Sequence, residues 1–152
     1  MSTISESIDV NVPVSTAYNQ WTQFETFPQF MEGVQSITQV TDTRNRWTVE
    51  VGGATRTFVT EISEQHPDER IAWTTVEGDT GHGGVVTFHH LDDSTTRVHL
   101  EMDVEPEGFV EQVGDKLGFI SRRAKGDMKR FKEFIESRGS ESGAWRGDVE
   151  RS

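Results

Sequence analysis

The stretch Phe109–Arg138, FVEQVGDKLGFISRRAKGDMKRFKEFIESR, decides the fold. Val110, Val113, Leu117, Ile120, Ala124, Met128, Phe131 and Ile135 recur in it at steps of three or four, which lines them up on one stripe of an α-helix. Arg122, Lys125, Lys129 and Lys132 keep the same steps on the far side, a basic face for water. A long amphipathic helix needs a broad apolar partner, and no other stretch has convincing helical length. The segments before it are short and alternating, so the partner is a β-sheet. The expected class is α+β: a seven-stranded curved antiparallel sheet around a long C-terminal helix, with two short helices after the first strand.

Working outward, Thr3–Val12 alternates Ile4, Ile8, Val10 and Val12 against Ser5, Ser7, Asp9 and Asn11, a half-buried strand with Glu6 on the apolar face. Ser15 can cap a short helix carrying Ala17, Tyr18 and Trp21. Phe24, Phe27, Phe30 and Met31 follow around Pro28, which suits the first turn of a second short helix. A strand is expected over 33–41. Trp47, Val49 and Val51 then share a face, Gly52-Gly53 turns the chain, and Arg56, Phe58, Thr60 and Ile62 share the next. Ile71, Trp73 and Thr75 follow the His66-Pro67-Asp68 turn. The last two strands span roughly Val85–Leu91 and Arg97–Val104. For Val86 and Phe88 to share the core with Val98, Leu100 and Met102, their hairpin loop must hold an odd number of residues, about three or five. One domain over 1–138 and a flexible tail over 139–152 are expected, the tail being rich in Gly, Ser, Glu and Arg.

Composition narrows the function classes. At 152 residues the chain holds one core and a modest cavity. Only 32% of the residues are hydrophobic, so few side chains must cover a wide sheet and a partly unfilled interior is expected. A net charge of -11 argues against nucleic-acid binding, which needs surplus Lys and Arg. The absence of cysteine excludes disulfides and a thiolate nucleophile or ligand. No apolar run has the length of a membrane span and no leader pattern opens the chain, so a cytoplasmic protein without integral membrane association is expected, as a monomer or homodimer.

Val12-Pro13-Val14-Ser15-Thr16-Ala17-Tyr18 with Trp21, then Phe27-Pro28-Gln29-Phe30-Met31 and Gly33-Val34, resembles the opening of bacterial START-like proteins, the polyketide cyclase/dehydrase or SRPBCC superfamily. Ile71-Ala72-Trp73, Gly84-Val85-Val86-Thr87-Phe88, Thr95-Thr96-Arg97-Val98 and Pro106-Glu107-Gly108 are similar to its later landmarks, and Gly143-Ala144-Trp145-Arg146-Gly147 resembles tails of the group. The resemblance implies the helix-grip fold, with an apolar cavity between the concave sheet and the C-terminal helix. It implies members of several kinds: aromatase/cyclases, lipid and quinone binders, and proteins of other roles.

The candidate catalytic residues are Arg56, His82 and Glu6. Alternation turns Arg56 toward the interior, where a guanidinium could hold an enolate, carboxylate or phenolate oxygen. The resemblance adds that aromatase members use an inward arginine on the corresponding strand. At a strand end beside the glycine turn, Arg56 could instead reach water. Glu6 could pair with it or act as an acid or base, and His82 in the Gly81–Gly84 loop, or His90, could carry a proton at the cavity mouth. His89 and His99 fall on the outer face, where no third ligand is placed to complete a zinc site, so neither a metal nor another cofactor is expected. Gly81-His82-Gly83-Gly84 precedes a strand and lacks the lysine of a phosphate loop; its glycines allow a turn and a close approach to the helix.

The expected cavity lining is Trp21, Phe27, Phe30, Met31, Trp47, Phe58, Thr60, Trp73, Thr75, Phe88, Leu117, Ile120, Ala124 and Met128, with Phe119 at a rim. The favoured reading is carriage or sequestration of a hydrophobic small molecule such as a lipid, quinone or polycyclic aromatic. The alternatives are a polyketide aromatase/cyclase promoting aldol closure and loss of water, and a non-catalytic interaction module with a filled core.

Overall fold

The computed structural model describes residues 2–51, 54–78, 82–104 and 116–147. Strand β1 (Ser2–Val10) leads into helix α1 (Val14–Trp21) and a 3-10 helix (Phe24–Gln29). Strands β2 (Val34–Gln39), β3 (Arg44–Val51), β4 (Ala54–His66), β5 (Arg70–Gly78), β6 (His82–Asp92) and β7 (Thr95–Val104) follow, and helix α2 spans Lys116–Arg138. The strands form one antiparallel sheet in the order β1-β7-β6-β5-β4-β3-β2, so every pairing joins neighbours in sequence except β1 with β7. This is the helix-grip arrangement.

The sheet bends because β4 is long and interrupted. Its register against β5 shifts between Val59 and Thr60 and again between Ile62 and Glu64. Each irregularity adds local twist and lets the strand turn across the helix. The expected odd hairpin between β6 and β7 takes another form. The turn is two residues, Asp93-Ser94, and a register shift between His90 and Asp92 restores the parity. Val86 pairs with Leu100 and Phe88 with Val98, and all four are buried.

Three boundaries depart from the sequence reading. β1 ends at Val10; Val12, although buried, lies beyond it and its carbonyl accepts a 2.8 Å bond from the Thr96 hydroxyl. The second short helix is 3-10 and holds Pro28 near its end, because a six-residue turn loses little when one N–H is missing. Gly83 and Gly84 belong to β6, and the close approach they permit is to Trp73: a Cβ on Gly84 would stand 2.7 Å from the indole. The turn at Gly52-Gly53 and residues Val110 and Val113 lie outside the described residues.

The stripe on α2 behaves as its spacing requires. Ile120, Ala124, Met128, Phe131 and Ile135 are all buried, while Leu117, the second residue of the helix, is 37% exposed. Arg122, Lys125 and Lys129 are exposed. Lys132 is not free in water: it donates to the Asp9 carbonyl at 2.8 Å and to Glu136 at 2.6 Å, tying α2 to the end of β1. After Gly139 the chain runs back along α1. Ser142 and Gln20 exchange two hydrogen bonds, and Arg146 reaches Asn19 and Asp68.

Candidate ligand cavity

Between the sheet and α2 lies a cavity of about 150 Å³. Strand parity builds its floor: Trp47 and Val49 on β3, Phe58, Thr60 and Ile62 on β4, Ile71 and Trp73 on β5, Val86 on β6, and Leu100, Met102 and Val104 on β7. Ile120, Ala124 and Met128, one turn apart on α2, form the roof. The end wall is Trp21 from α1, Phe24 and Phe27 from the 3-10 helix, Met31 and Gly33 from the chain after it, and Val34 at the start of β2.

Aromatic rings set the shape of the site. Trp47 and Phe58 are cross-strand partners and stack at 5.9 Å with 17° between planes. Phe27 meets Trp47 at 6.0 Å and Trp21 at 5.1 Å, both edge to face. The Trp47 indole N–H donates to the Thr60 hydroxyl at 2.9 Å, so these two inward polar groups serve each other.

Two others have no partner among the described residues. Asn45, 1% exposed, lines the cavity two positions before Trp47, and its Oδ1 accepts no hydrogen bond. Trp21, 3% exposed, leaves its Nε1–H without an acceptor.

Arg123 and Asp127 flank the roof. The Asp127 carboxylate accepts from the Glu32 backbone N–H at 3.1 Å and from Arg130, which also donates to the Phe30 carbonyl at 3.0 Å. Burial pushes the Asp127 carboxyl above its ordinary value, against the opposing pull of Arg130, the Glu32 amide and Arg123. The Arg123 guanidinium lies 5.3 Å over the Phe119 ring. With Glu32, Arg122, Gly126 and Arg130 they form a second, outer groove, which places Phe119 at the rim.

The candidates named from the sequence fall as follows. Trp21, Phe27, Met31, Trp47, Phe58, Thr60, Trp73, Ile120, Ala124 and Met128 line the cavity. Phe30, Thr75, Phe88 and Leu117 are not part of its lining. Phe30 is clasped by Trp21, Phe131 and Phe134, and Phe88 packs edge-on against Tyr18 at 5.4 Å. Arg56 faces the same side as Phe58 but pairs with Val49 close to the strand end, where it is half-buried and donates to the Thr55 carbonyl at 3.2 Å. Glu6 stands opposite Leu100 on the inner side of β1, half-buried and not itself part of the lining. His82 contributes backbone to β6, and its side chain lies outside the described residues. His90 is exposed and pairs with Asp93 at 3.5 Å.

His89 and His99 lie diagonally on the outer face, opposite Arg97 and Thr87 respectively. Among the described residues no group of three or more His, Asp or Glu could hold a metal ion, and no helix is long and apolar enough to cross a membrane. Asn45, Arg123 and Asp127 were not singled out from the sequence. Their signals were present: Asn45 shares the parity of Trp47 and Val49, and Arg123, Asp127 and Arg130 sit at steps of four and three beside the apolar stripe.

The concave sheet, the gripping helix and the aromatic cavity between them define a START-like protein. Residues 10–133 match the family described as polyketide cyclase/dehydrase and lipid transport, and the chain belongs to it. It is 61% identical over 149 residues to an uncharacterized 17.2 kDa protein of Streptomyces lincolnensis, covering 98% of this chain and 99% of that one. Its fold is similar to a START superfamily protein from Mycobacterium smegmatis, with a TM-score of 0.70 at 17% identity over 90% of this chain and 95% of the other. It is also similar to the Zhui aromatase/cyclase of a Streptomyces strain, with a TM-score of 0.75 at 14% identity over 95% and 99% of the two chains.

Proposed function

We propose that this protein binds a hydrophobic small molecule in the cavity under α2 and carries or sequesters it unchanged. The observation that carries this reading is the wall itself: stacked and edge-on rings below, and Ile120, Ala124 and Met128 above, around about 150 Å³ of space. Space of that size takes a single aromatic ring or one end of a longer apolar chain. Burial of such a group is driven by the hydrophobic effect and shaped by the flat faces of Trp47 and Phe58.

A second reading, an aromatase/cyclase, is favoured by one feature. Asp127 has a carboxyl biased toward its protonated form, beside the fixed positive charge of Arg123. An acid and a cation at the edge of an apolar cavity could promote enolisation and loss of water. Asp127 is already held by Arg130 and the Glu32 amide, which supports a positioning role for it and places carriage first.

Native mass spectrometry of the purified protein, with organic extraction of what accompanies it, tests the reading. A co-purifying apolar molecule, recovered chemically unchanged after incubation, is the expected result. A ligand-free mass that stays unaltered against lipids, quinones and simple aromatics would overturn it.

A further inference from the structure

We propose that Asn45 and Trp21 form a polar recognition point inside the cavity, selecting a neutral ring compound that bears a hydroxyl. This rests on the reading of the cavity as a ligand site. Asn45 and Trp21 are 1% and 3% exposed, yet the amide oxygen of one and the indole N–H of the other have no partner among the described residues. Buried polar groups are ordinarily paired, and leaving one unpaired costs stability. Asparagine is also a poor strand residue. An inward Asn at the start of β3, beside Trp47 and Val49, is therefore unfavourable on two counts unless something in the cavity bonds to it.

Each of the two atoms sets what its partner must offer. The Asn45 oxygen needs a donor and the Trp21 N–H needs an acceptor. A hydroxyl is both, and it matches the Asn45 amide in either orientation. A ketone or ether could answer Trp21 alone. An ammonium would be stranded among apolar walls, and a carboxylate would be drawn to Arg123. The nearby rings fix the body of the ligand. Phe27 touches both Trp21 and Trp47, and the Trp47–Phe58 stack offers a flat face, so a phenol-like molecule fits the combination.

Phenol and toluene differ by a hydroxyl in place of a methyl, so their affinities isolate this contact. A purely apolar cavity favours toluene, since the phenol hydroxyl loses its bonds to water. The measured quantity is the ratio of the two dissociation constants in the wild type, Asn45→Leu and Trp21→Phe. The ratio should move toward toluene by about tenfold in Asn45→Leu and in the same direction in Trp21→Phe. Asn45→Leu should melt no lower than the wild type without ligand, which shows that its fold is intact. In the amide and indole nitrogen–proton spectrum, the Trp21 indole signal, assigned by its loss in Trp21→Phe, should shift downfield with phenol and not with toluene.

If toluene binds and the ratio is unchanged in both variants, the cavity reading stands and the hydroxyl recognition is overturned. If neither compound binds the wild type, the cavity reading itself fails.

Discussion

Ending the chain after Gly139 separates the sheet-and-helix body from the segment that runs back along α1. Among the described residues, six polar interactions that tie that segment to the α1 region and Asp68, and one cation–π pair, go with it. Asn19 donates to Glu141 at 3.0 Å, Gln20 and Ser142 exchange bonds of 3.0 and 2.8 Å, and the Trp145 N–H donates to Thr22 at 3.0 Å. Arg146 donates to Asn19 at 2.6 Å, reaches Asp68 at 3.0 Å and lies 5.6 Å over the Tyr18 ring. At about 1 kcal/mol net for each hydrogen bond, these are worth about 6 kcal/mol. The cation–π pair adds about 1 kcal/mol. Ordering residues 140–146 costs about 1–1.5 kcal/mol each, about 7–10 kcal/mol in all. The terms nearly cancel, and Asn19 and Gln20 regain water once uncovered. Truncation should therefore cost no more than about 2 kcal/mol, read as a melting temperature lower by about 8 °C or less. Urea and thermal melts of the truncated chain measure this, and amide exchange at Ser142 and Trp145 in the full chain should be fast. A truncated chain that does not fold, or that loses more than about 4 kcal/mol, would refute the reasoning and place the segment within the domain core.

Other perturbations probe the interior and the rim. Phe131 is fully buried between Trp21 and Phe30, so Phe131→Ala should cost about 3–5 kcal/mol in urea unfolding. A loss under about 1 kcal/mol would mean the helix is not gripped there. For Asp127 the folded carboxyl lies above its ordinary 3.8, because burial disfavours the charge. Its contribution to stability is then fully present below that value and is lost as pH rises through the raised one. Asp127→Asn should gain on the wild type as pH is raised from about 4 to 7. A difference of opposite slope would contradict the burial argument. Arg56 is outside the described lining, so Arg56→Ala should change ligand affinity by only about twofold. A loss of about a hundredfold would return it to the site.

Much of the fold was legible because period 2 and period 3.6 differ so clearly. Trp47 and Val49, Phe58 and Ile62, and the α2 stripe from Ile120 to Ile135 all face inward as their spacing requires. The hairpin between β6 and β7 shows a limit. The faces of Val86 and Val98 demanded an odd count, but sequence alone does not distinguish a longer loop from a two-residue turn with a bulge. Which aromatics would line space and which would fill it was not legible either. Phe30 and Phe88 have the same composition signal as Phe27 and Phe58, and only their neighbours, Phe131 and Phe134 for one and Tyr18 for the other, take them out of the cavity. Asn45 reads as a turn residue at a strand start. Asp127 reads as a surface ion-pair partner until the chain at Glu32 is brought onto it.

The central claim is that the space under α2 holds the ligand, and filling that space tests it most directly. Ala124 is 5% exposed and lines the cavity between Ile120 and Met128. A phenyl ring there would take up most of a cavity that suits one ring of about benzene size. Trp21, Trp47 and Trp73 line the same space, so toluene binding can be followed by intrinsic fluorescence. The account predicts saturable binding to the wild type and none to a folded Ala124→Phe. Equal binding to both proteins would contradict it, because the ligand would then sit elsewhere.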